Sequence, residues 1–79
     1  MTTSPIARAV EHLEQGDWQA AHVIVQNESG ALACWVHGIV HLVEGDLDNA
    51  QYWYRRADRK LPAGARAHTE LAALKASLS

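Results

Sequence analysis

Apolar residues recur along the chain at helical spacing, and short polar punctuation separates the recurrences. Ile6, Val10 and Leu13, with Ala9 between them, form a first helical stripe. Ser4-Pro5 ahead of it reads as an N-cap followed by proline at the first helical position. Gly16 stops that helix, and Asp17 caps a second one from Trp18 to about Gln26. Asn27-Glu28-Ser29-Gly30 reads as a turn. A third helix is predicted over Ala31–Glu44. Gly45-Asp46 repeats the stop-and-cap pair, and a fourth helix is predicted from Leu47 to about Arg59. Leu61-Pro62-Ala63-Gly64 breaks the pattern, and the alanine- and leucine-rich stretch Ala65–Leu78 predicts a fifth helix. The β-branched cluster Val23-Ile24-Val25 is too short, and too close to the preceding cap, to argue for a strand. The expected fold class is all-α.

The pattern repeats. Leu13-Glu14-Gln15-Gly16-Asp17 with Ala21 matches Leu42-Val43-Glu44-Gly45-Asp46 with Ala50, at a constant offset of 29 residues that also relates His12 to His41. Two helical hairpins of one design, stacked so that each covers the other's apolar face, account for this. The expectation is a single domain over 1–79. It comprises a first hairpin at about 5–27, a second at about 31–60 and a C-terminal capping helix at about 65–78.

The second hairpin resembles a tetratricopeptide repeat. Gly38, Ala50, Tyr54 and Pro62 fall where that pattern has its glycine, alanine, aromatic residue and proline. The string Trp53-Tyr54-Arg55-Arg56-Ala57 is similar to one found in Sel1-like repeats. The resemblance departs at Cys34, His37 and His41, where the family has tryptophan, leucine and tyrosine. It implies two stacked antiparallel hairpins and a noncatalytic role in protein–protein interaction. It also implies that Leu32, Trp35, Ile39, Leu42 and Val43 line a concave partner-binding surface. These five share the second apolar side of the third helix, which must be covered by the C-terminal helix, a partner or a second copy. Trp53, on the inner stripe of the fourth helix, is expected in the core.

Size and charge narrow the classes. A chain of 79 residues has a small core, and with one cysteine, Cys34, it has no internal disulfide to support it, so a homodimer is expected. A net charge of −2 leaves no electrostatic footprint for nucleic acid. No apolar run reaches the roughly 18 residues that span a bilayer. Met1-Thr2-Thr3-Ser4-Pro5 does not read as a secretory signal, and the cytoplasm is the expected compartment.

Two constellations offer chemistry. Cys34, His37, His41 and Glu44 fall within about an 80° arc of the third helix, and His37 and His41, four apart, can converge on one ion. His12, His22 or His68 would have to supply a third ligand. No complete ligand set stands in the sequence, so no metal or other cofactor is expected. A metal-binding or small enzymatic protein using the third-helix histidines is the alternative to an interaction module. On the fourth helix, Tyr52, Arg55 and Arg56 could grip an anion, although such a face is more often simply solvated.

Overall fold

The computed structural model describes residues 4–78. Among them are five helices and no strand: α1 (Pro5–Glu14), α2 (Trp18–Val25), α3 (Ala31–Glu44), α4 (Leu47–Arg56) and α5 (Ala67–Leu78). The fold is all-α, and none of these helices is long and apolar enough to cross a membrane.

Local chemistry sets most helix ends. The Ser4 hydroxyl accepts from the Ala7 amide at 3.1 Å, with Pro5 at the first helical position. The two copies of the stop-and-cap pair have the same geometry. Gly16 and Gly45 sit at φ +80° and +85°, a conformation that costs glycine nothing. The following aspartate amides reach back to His12 O at 2.8 Å and His41 O at 2.9 Å. The Asp17 and Asp46 carboxylates then accept from Ala20 and Asn49 amides and start the next helix.

Two ends differ from the expectation. α4 stops at Arg56, not near Arg59, because Asp58 takes a left-handed conformation at φ +58° and the Arg59 amide turns back to Tyr54 O at 2.9 Å. α5 begins at Ala67 and not Ala65, because the Ala65 amide closes a turn onto Pro62 O at 3.1 Å.

α1 packs on α2, α3 packs on α4, and α2 against α3 forms the seam between the two hairpins. Ala21 and Ala50, related by the repeat, are both fully buried where each hairpin closes. α5 crosses over, packing along α3 and reaching α1. α3 is thus surrounded, and every residue from Trp35 to Val40 is buried.

Candidate functional site: a filled groove and a histidine cluster

α5 lies where the apolar second side of α3 had no partner in the sequence. Trp35 is 2 % exposed and Ile39 0 %. Leu42 is half-buried, and Leu32 and Val43 are exposed. The five residues expected to line an open groove are therefore divided, and Trp35 and Ile39 belong to the interior. Polar contacts fix the arrangement. The Trp35 indole N–H donates to the Tyr54 hydroxyl at 3.2 Å, and that hydroxyl donates to the Glu70 carboxylate of α5 at 2.6 Å. Burial and the Glu70 carboxylate together raise the Tyr54 pKa, so the phenol keeps its proton and remains a donor. The Arg59 guanidinium lies 3.4 Å from the centre of the Trp35 ring. Trp53, expected in the core, is only half-buried.

What Trp53 touches is the second site. Its ring stacks on His37 at 3.8 Å between centroids, with the planes 9° apart. The His41 ring lies parallel to His37, 5.2 Å away. α2 contributes His22, whose Nε2 is 3.1 Å from the His37 Nε2. Ring nitrogens of His22, His37 and His41 all lie within 4.8 Å of one another. The outer edges of two rings are held as well. Gln26, one turn on from His22, contacts its Nδ1 at 3.0 Å, and the Glu44 carboxylate meets the His41 Nδ1 at 3.1 Å.

The third-helix pair was legible from its four-residue spacing. His22 stood level with His12 and His68 as a possible companion, and the seam between α2 and α3 selects it. Gln26 was missed, and its i,i+4 spacing from His22 is the one signal that pointed to it. Asp46, which lies near His41 and Glu44, already accepts from the Asn49 amide at 3.4 Å and from the Asn49 side chain at 2.6 Å. It serves as a helix cap.

Of the candidate anion-binding trio, Tyr52 and Arg56 are in direct contact. The Arg56 guanidinium donates to the Tyr52 hydroxyl at 3.2 Å and lies over the Tyr52 and Trp53 rings. Arg55 instead lines a shallow depression with Arg59 and Lys60.

Burial, with the neighbouring His22 and His41, lowers the His37 pKa from 6.5 to about 4. The folded chain keeps His37 neutral down to that pH, whereas the unfolded chain takes up the proton near 6.5. Between those values the unfolded state binds more protons. The contribution is therefore fully present above pH 6.5 and is lost as pH falls towards 4. With solvent screening allowed for, the loss should be about 2 kcal/mol. Urea midpoints at neutral and acid pH, measured with chelator present, should show a slope that His37→Gln flattens. An unchanged slope in that variant would assign the acid sensitivity to other groups.

Compared with known proteins, the chain matches no family model, no curated protein and no solved structure at a significant level.

Proposed function

We propose that this protein is a noncatalytic interaction module of tetratricopeptide-like type, whose groove takes an apolar helix and whose partner is a second copy of the chain. The observation that carries the reading is the seat of α5. Its backbone does not run against α4, the helix that precedes it and that it reaches through the Tyr54–Glu70 hydrogen bond, but lies along α3 and reaches α1 in the manner of a helix bound in a groove. Its anchors are few: Leu74 fully buried, Leu71 half-buried, the Tyr54–Glu70 hydrogen bond and an ion pair between Lys75 and Glu14 at 2.8 Å. The connection over 57–66 contains Pro62 and a left-handed Gly64, and it contributes the buried Ala57 and the half-buried Leu61 to the core. A second copy offers the same helix with the same contacts, so reciprocal exchange of α5 forms a homodimer without any new interface chemistry.

The test changes the reach of that connection. Deleting Ala63 and Gly64 removes up to about 7 Å of chain and disfavours the fold-back onto the same copy. Light scattering should then find a dimer for the shortened chain. For the parent it should find a dimer fraction that grows from micromolar to millimolar concentration. If both stay monomeric and folded over that range, the self-association reading fails. A parent monomer that captures a different apolar helix would move the partner to another protein.

A further inference from the structure

We infer that His22, His37 and His41 form a binding site for one divalent transition-metal ion, zinc being the best fit, held through their ring nitrogens at the seam between the two hairpins.

Convergence comes first. Three imidazoles from α2 and α3 bring ring nitrogens within 4.8 Å of one another. Two nitrogens on a tetrahedral zinc with bonds of about 2.0–2.1 Å stand roughly 3.3 Å apart. The His22–His37 pair, at 3.1 Å, is already close to that spacing. The remaining gap closes by swinging the His41 ring about its outer torsion, which is broad and soft for histidine.

Ring orientation is the second argument. A metal-bound histidine commonly hydrogen-bonds through its other nitrogen, which sets the tautomer and aims the ligating lone pair. One of the three rings has this arrangement before any ion is added. Glu44 accepts from the His41 Nδ1, which leaves the His41 Nε2 as the lone-pair nitrogen. The Gln26 amide N–H donates to the His22 Nδ1, so His22 carries its proton on Nε2, and metal binding requires the Gln26 amide to turn its oxygen to Nδ1. Glu44 is thus a positioning residue for His41.

Rigidity and access complete the site. His37 is fixed by the Trp53 ring stacked on it. His22 and His41 are half-buried, which leaves a route for the ion and a fourth coordination position for water. Three neutral imidazoles suit zinc, copper(II) or nickel(II), and a tetrahedral set with one open position suits zinc.

The full-length chain, purified without a histidine tag and freed of metal with chelator, is titrated with zinc against a chromophoric competitor at neutral pH. One zinc per chain is expected, accompanied by a change in tryptophan emission, because Trp53 lies on His37. His22→Ala and His41→Ala should each weaken binding by about a hundredfold or more, and Glu44→Gln by about ten- to a hundredfold. His12→Ala and His68→Ala should bind like the parent. His37 is buried, so the other two histidines carry the test, with circular dichroism confirming that each variant is folded. The proposal is overturned if zinc, nickel(II) and copper(II) all fail to bind. It is also overturned if binding survives both His22→Ala and His41→Ala, or falls equally in His68→Ala. Parent-like binding by Glu44→Gln would remove the positioning role assigned to that residue.

Discussion

Trp35→Ala should destabilise the protein by about 3–5 kcal/mol, enough to unfold much of a domain whose total stability is about 4–12 kcal/mol. The indole is 2 % exposed and packs in one cluster with Ile39, Leu74, Val10 and Leu13. Its removal leaves a cavity at the junction of three helices and deprives the Tyr54 hydroxyl of a hydrogen-bond donor. α5, which has few other anchors, should detach first. Trp53→Ala is the control. That ring is half-buried and stacks on His37, so its loss should cost less, about 1–2 kcal/mol. Urea unfolding of both variants, followed by circular dichroism, ranks them. If Trp53→Ala proves the more damaging, the assignment of Trp35 to the core is wrong.

Gly38→Val should be nearly as harmful, at about 3 kcal/mol or more, even though it adds apolar volume to an apolar site. A Cβ on Gly38 would stand 2.7 Å from Tyr54 Cε1 and 3.3 Å from the Ala50 carbonyl oxygen. Ring and backbone are both poorly placed to yield. Tyr54 is held at its hydroxyl by Trp35 and Glu70, and Ala50 is fully buried at the closest approach of α3 and α4. The higher helix propensity of a side-chain-bearing residue, at most about 1 kcal/mol, does not offset this. A double-mutant cycle isolates the cause. Gly38→Ala should be costly alone and clearly less costly in a Tyr54→Ala background, because the clashing ring is then gone and only the approach to the Ala50 carbonyl remains. Additive costs in the cycle would mean that the close approach to Tyr54 is not what requires glycine.

The features that short-range backbone chemistry controls were legible in the order of residues alone. Gly16-Asp17 and Gly45-Asp46 each stop one helix and start the next, and the structure gives both pairs the same dihedral and hydrogen-bond pattern. These signals act over five or six residues, so they are written where they act. The helical faces were legible too, including the surplus apolar side of α3 and the shared face of His37 and His41. A face is only a direction, however. What fills it depends on helices distant in sequence. Packing between distant segments decided that α5 returns over Trp35, so Trp35 lies in the interior. It decided that Trp53, on a stripe that looked equally internal, stacks at the rim of a histidine cluster. It also decided that α2 presents His22, and not His12 or His68, to His37 and His41. The early end of α4 belongs to the same class. Aspartate does not announce a left-handed turn as glycine does. Asp58 is held there by the Arg59 amide returning to Tyr54 O while the Arg59 guanidinium settles on Trp35. Each of these outcomes is set by packing between segments whose relative placement no local pattern encodes.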